Sequence, residues 1–146
     1  MATHHDAEIV LKLYDLRREE VMRKARNFMS TQFWPQSADD IVSLMMDFGS
    51  EKNAYFRQFT SFWDMASTLV HRGAVDADLF SDWSNEMFFV FAKLSPYADE
   101  VRKKTESPKW MHNVYSFFDS KPEYKAKFES FQKRAAFLSQ RFAAKA

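Results

Sequence analysis

No cysteine occurs anywhere in the 146 residues, which removes disulfides, thiolate metal sites and thiol nucleophiles together. The lack suits a reducing compartment. Glycine is nearly missing as well, with two residues, and there are only four prolines. A fold made of many tight turns needs more of both, so an all-β sandwich or barrel is excluded. Two glycines cannot build a phosphate-cradling loop, and no Gly-x-Ser-x-Gly elbow is present. Long hydrophobic runs are missing too. The longest, Met87 to Ala92, spans six residues, against the roughly 20 that a membrane span requires. Met1 to Asp6 contain neither a basic region nor an apolar stretch, so the expectation is a chain without a signal peptide, outside membranes and in the cytoplasm.

Chemistry-bearing patterns are equally scarce. The residues three positions before the four histidines are Met1, Ala2, Thr68 and Lys109, so the Glu-x-x-His signature of di-iron bundles is absent. No His-x-x-x-His pair exists. His4 and His5 fall at a terminus expected to fray. His71 belongs to the last turn of a helix, where a cation favours the negative end of the dipole. His112 reads as solvated, and nothing supports haem ligation by either His71 or His112. The carboxylate pairs Asp39-Asp40, Glu19-Glu20 and Asp99-Glu100 lie early in helices or on solvated faces. The expectation is therefore no metal, no cofactor and no assigned catalytic residue.

What the chain has is aromatic side chains: 16 Phe, 4 Trp and 5 Tyr, or 17% of residues. They recur at helical spacing. Val10, Tyr14, Val21, Ala25 and Phe28 place one apolar face on a first helix predicted from Asp6 to Thr31, with Thr3 or Asp6 as its N-cap. Trp34-Pro35 ends it, because the residue before proline avoids helical angles. Ser37 caps a short helix carrying Ile41, Leu44, Met45 and Phe48, stopped by Gly49. Ser50 caps the next, with Tyr55, Phe59, Phe62, Ala66 and Leu69 on one stripe and Phe56, Trp63 and Val70 beside it, ending at Gly73. Asp76 caps a fourth, running through Trp83 to Leu94. Ser95-Pro96 and Ser107-Pro108 mark restarts, and Pro122 opens a last helix whose Tyr124, Phe128, Phe131, Ala135, Leu138 and Phe142 form a heptad seam. No segment alternates like a strand. The fold class expected is all-α, an irregular antiparallel bundle of five or six helices forming one domain over residues 1–146.

Net charge is +1, but residues 37–100 carry eleven acidic and four basic side chains, whereas residues 101–146 carry eleven basic and four acidic. Opposite blocks of equal size favour complementarity within the chain or across a dimer, and no nucleic-acid binding is expected. Lys127, Arg134 and Arg141 form a column beside the last seam, where acids of a neighbouring helix are the usual partners.

Phe62-Trp63-Asp64-Met65-Ala66, Leu69-Val70, Gly73, Val75-Asp76, Leu79-Phe80, Leu94, Pro96 and Arg102 together resemble a bacterial family of small, all-helical proteins of unknown function. The resemblance covers Phe62 to Arg102, 41 of the 146 residues. It implies a helical fold and transfers no site.

Three features go beyond a plain core pattern. Arg18 falls on the helical wheel inside the stripe of Leu11, Tyr14, Val21, Met22 and Ala25, so it either snorkels at the rim of the core, pairs with a buried carboxylate, or anchors a ligand. Ile9, Leu13 and Leu16 step along the face opposite Tyr14, which suits a sandwiched helix or a partner-binding seam. Phe88 and Phe89 lie off the Trp83 stripe, fitting either a central helix covered on two sides or an aromatic contact site. These six residues are the candidate ligand or partner contacts. The function expected is a non-enzymatic helical interaction module that self-associates or binds a protein. The rival is a binder of small hydrophobic molecules in an aromatic-lined pocket between helices.

Overall fold

A computed structural model describes residues 1–143 and 145. Among the described residues there are nine α-helical segments and no strand: α1 His4–Arg17, α2 Glu20–Asn27, α3 Ala38–Met46, α4 Glu51–His71, α5 Ala77–Trp83, α6 Asn85–Leu94, α7 Ala98–Lys104, α8 His112–Asp119 and α9 Pro122–Ala143. A π-turn at Phe28–Gln32 and a 3-10 turn at Ser95–Tyr97 complete the helical structure. That is more segments than the five or six expected: two of the expected helices break, and the Ser95-Pro96 restart yields a short helix of its own, α7. No helix among the described residues is long and apolar enough to cross a membrane.

The expected first helix breaks at Arg18-Glu19. The Glu19 carboxylate accepts from Val21 N at 3.0 Å and Met22 N at 2.9 Å, starting α2 with its own cap. Amide groups bound by a side chain in this way are those at a helix start, so the chain cannot continue α1 through them. The expected fourth helix breaks at Ser84, which is fully buried and divides α5 from α6. Elsewhere the caps fall where expected. Thr3 and Asp6 form a capping box at the start of α1. Ser37, Ser50 and Asp76 accept the backbone N–H groups of Asp40, Asn53 and Leu79.

Two helices form the centre. Helix α4 packs against α2, α3 and α8, and α6 packs against α9 and the π-turn. Their aromatic side chains interlock: Phe59 with Phe91, Trp63 with Phe80, and Phe88 with Phe118 and Phe131. The seam on α9 begins as expected, with Phe128 stacked on Phe118 at 4.1 Å between centroids. It loosens toward the end, where Phe142 is 41% exposed. Lys127 meets no carboxylate there; it donates to the Ser81 carbonyl of α5. Ion pairs between the acidic middle and the basic tail form elsewhere, Lys104 with Asp39 at 2.7 Å and Lys121 with Asp78 at 2.8 Å.

Helix α1 is turned from the expected orientation, so that of Ile9, Leu13 and Leu16 only Leu13 is fully in the core and Leu16 stays exposed. Asp6, Leu13 and Arg17 point inward, whereas Leu11 and Tyr14 face solvent. Two charged clamps set this orientation. At one end Asp6 Oδ1 accepts from Asp76 N at 2.8 Å. At the other, Arg17 pairs with Glu86 at 3.6 Å and lies against the Trp63 and Trp83 rings. Arg18 is correspondingly exposed, its guanidinium 5.8 Å from the Tyr14 ring centre. The wheel reading failed by one residue because it assumed an unbroken helix through Glu19.

Candidate functional site: a methionine-lined groove

The end of α3 is built around one buried amide. Asn53, with no exposed surface, donates to the carbonyls of Leu44 at 2.8 Å and Met45 at 3.0 Å, satisfying acceptors that every helix C-terminus leaves open. Its own carbonyl accepts from Arg57 Nε at 2.9 Å. This fixes the last turn of α3 against α4. The chain then reverses through Gly49, whose φ of +90° lies in the region that glycine enters without strain. That reversal swings Phe48 outward to 74% exposed, although its spacing places it on the apolar face of the short helix.

Across α4, the chain between α7 and α8 supplies the opposing wall. Glu106 and Met111 both adopt left-handed backbone angles, φ 53° and 54°, which non-glycine residues reach at a cost of roughly 1–2 kcal/mol. Arg102 Nε donates to the Trp110 carbonyl at 3.0 Å and holds this segment in place. These turns delay the start of α8 to His112, beyond the Ser107-Pro108 restart marked by the sequence, so Trp110 precedes the helix.

Between the two walls lies an open groove of about 870 Å³, lined by Met45, Met46, Phe48, Met65, Trp110 and Met111 among others. Asp64 and Arg57 are its charged members. At Met65 it continues into a shallower depression of about 450 Å³ shared by Leu16, Met22 and Phe62. Met46, Met65 and Leu16 are each about half exposed. Unbranched methionine side chains adapt to irregular apolar partners, and a contiguous apolar strip of this kind on a surface marks a contact site.

Of the six residues singled out in the sequence, only Leu16 reaches this strip. Ile9 is half-buried, and Leu13 lies in the core beneath α1. Phe88 is fully buried between α8 and α9, and so offers no surface to a ligand or partner. Phe89 is half-buried with its ring 6.0 Å from Trp34. Arg18 stands apart from all of them. Sequence reasoning missed the groove because its members come from three separated segments. The one available signal was local: Met65 departs from both stripes of its helix, and Phe48 directly precedes a glycine. Lys93, placed by spacing on a polar face with Asp82, Asn85 and Phe89, is instead buried.

Two of the four histidines are held by hydrogen bonds within the fold. His71 Nε2 donates to the Asn113 carbonyl at 2.8 Å, and His112 Nε2 lies 3.2 Å from Ser116 Oγ. Among the described residues no group of three or more metal-ligating side chains converges.

One protein family, described as a domain of unknown function (DUF4760), matches residues 2–121. The chain belongs to this family. The match extends well beyond the Phe62–Arg102 stretch on which the resemblance was read, and it takes in both walls of the groove. No curated protein and no solved structure matches the chain. The DUF4760 region stops at the start of α9, so the seam on that helix packs against the family domain from outside the matched stretch.

Proposed function

We propose that this DUF4760 member is a non-catalytic interaction module that docks an amphipathic helix in the methionine-lined groove, and that the helix is α9 of a second copy. The observation that carries the reading is the exposed run of Phe48, Met46, Met65 and Leu16 across two confluent depressions. Helix-in-groove recognition needs an elongated apolar trough with polar edges, and this one has Asp64 and Arg57 on its sides.

Charge selects the occupant. The groove is made largely within the acidic residues 37–100, with Asp47 and Glu51 flanking the segment that carries Phe48. The outward face of α9 lies in the basic tail and presents Arg134, Phe137 and Arg141, with Phe137 59% exposed and the Arg141 guanidinium over its ring at 5.9 Å. An exposed aromatic between two arginines complements an apolar trough with an acidic surround. Reciprocal docking of the outward face of α9 between two copies closes as a dimer.

Sedimentation equilibrium with native mass spectrometry tests the reading. A dimer is expected, reduced to monomer by Met65→Glu or by Phe137→Glu. A strict monomer overturns it, as does a dimer indifferent to both substitutions. A retained small molecule that leaves with Met65→Glu also overturns it, in favour of a hydrophobic ligand binder.

A further inference from the structure

On a different side of the molecule, a cavity of about 480 Å³ opens between the end of α6, the Ser95–Tyr97 turn and the second half of α9. Its volume is within the range of small-molecule sites. Small side chains, Ala92 and Ala135 among them, leave the space. Four of its polar side chains form two neutral pairs: Gln132 Nε2 donates to Ser95 Oγ at 3.0 Å, and Gln36 Nε2 donates to Ser139 Oγ at 3.2 Å.

Among the described residues Lys93 is the only charged side chain in the wall, and it is 5% exposed. Its ammonium donates to the carbonyl of Met29 and, at 2.7 Å, to that of Phe33, and it lies 4.3 Å from the Trp34 ring centre. Among the described residues no carboxylate stands within ion-pair distance of it. Two carbonyls leave one of its three N–H groups to assign. Buried cations are ordinarily matched by an anion, because desolvation is otherwise uncompensated.

We propose that this cavity is a binding site for a small organic carboxylate, whose charge complements Lys93 while its carbon skeleton rests on the alanine floor. The glutamine–serine pairs supply donors and acceptors for hydroxyl or amide substituents on the ligand. Burial lowers the Lys93 pKa to about 7, so a bound carboxylate would also hold the amine in its charged form and draw a proton from solution. The site is separate from the methionine groove, and its occupation does not depend on self-association.

Isothermal titration with benzoate and 4-hydroxybutyrate, set against benzamide, 4-hydroxybutyramide and inorganic phosphate, tests this in the full chain. The carboxylates are expected to bind with proton uptake near neutral pH, and the amides and phosphate to bind at least about tenfold more weakly. Lys93→Met is expected to abolish the preference for carboxylate over amide. Ala136→Trp, which fills the cavity and leaves Lys93 in place, is expected to abolish binding altogether, and this keeps the test informative should Lys93→Met fold poorly. Equal binding of acid and amide overturns the proposal. So does carboxylate binding that survives Ala136→Trp, binding led by phosphate, or no binding of either carboxylate.

Discussion

Arg17 and Lys93 are both nearly sealed from solvent, at 9% and 5% exposed, yet their surroundings share little beyond indole rings. Arg17 shares the Glu86 carboxylate with Arg26, whose Nε lies 2.9 Å from both carboxylate oxygens. Arg26 also donates to the Arg17 carbonyl at 3.3 Å, tying α2 back to the end of α1. Desolvation lowers the Arg17 pKa, and the neighbouring Glu86 works against that shift. Lys93 has carbonyl dipoles and ring faces but, among the described residues, no counter-ion, and desolvation pulls its pKa down to about 7. The contrast follows from chemistry. A guanidinium is weakly hydrated, stays charged when buried and stacks on indoles, so it serves as a permanent clamp. An ammonium is strongly hydrated and gives up its proton when buried, so its charge responds to pH and to ligands.

The largest expected effect comes from removing the counter-ion on the Arg17 side. Glu86→Gln leaves two arginines facing each other without an anion, and urea denaturation should show a loss of about 3–5 kcal/mol. Next, Trp34→Ala removes the ring above Lys93 together with its 4.4 Å stack on Phe142. The loss expected is about 2 kcal/mol in the same measurement. Lys93→Met should change stability less at neutral pH, because relief from desolvation opposes the loss of two hydrogen bonds.

The diagnostic for Lys93 is the pH dependence. Its folded pKa lies below the ordinary 10.5 of the unfolded chain. Below pH 7 both states are protonated and the desolvation penalty is fully present. Between 7 and 10.5 the unfolded chain holds a proton that the folded one has released, so this group's contribution to stability rises with pH. Lys93→Met should flatten that rise, and an unchanged slope would show that Lys93 titrates normally. The smallest effect belongs to Trp83→Phe. Phe keeps an aromatic ring beside Arg17, and the buried Trp83 Nε1 group that is lost has no partner among the described residues, so the cost should stay at about 1 kcal/mol. A larger loss would mean that this N–H is satisfied in solution.

The helices were legible because their signals are local. Ser37, Ser50 and Asp76 announce starts through side-chain oxygens that bind amides three residues on, and the aromatic stripes of α4 and α9 need only periodicity. The break at Glu19 was harder to see. Glu is an ordinary helix former, and it becomes a cap here only because its carboxylate turns back on Val21 and Met22. The orientation of α1 was not legible at all. The helix carries apolar residues on both faces, and the choice between them was made by Asp6 reaching Asp76 and by Arg17 reaching Glu86, contacts 70 and 69 positions away along the chain. Of the candidates on α1, that choice kept Leu16 at the surface and took Leu13 into the core, whereas Phe88 was lost to the packing of α8 and α9 on α6.

By itself, then, composition and spacing determined that this chain is helical, where most helices begin, and which aromatic stripes leave water, since those properties depend on neighbours within a turn or two. Only the tertiary structure decided which face of α1 points inward, that three separated segments meet in a methionine groove, and that Lys93 is buried beside a cavity. Each of those outcomes is set by contacts between residues distant in sequence, and periodicity carries no information about which distant residue will arrive.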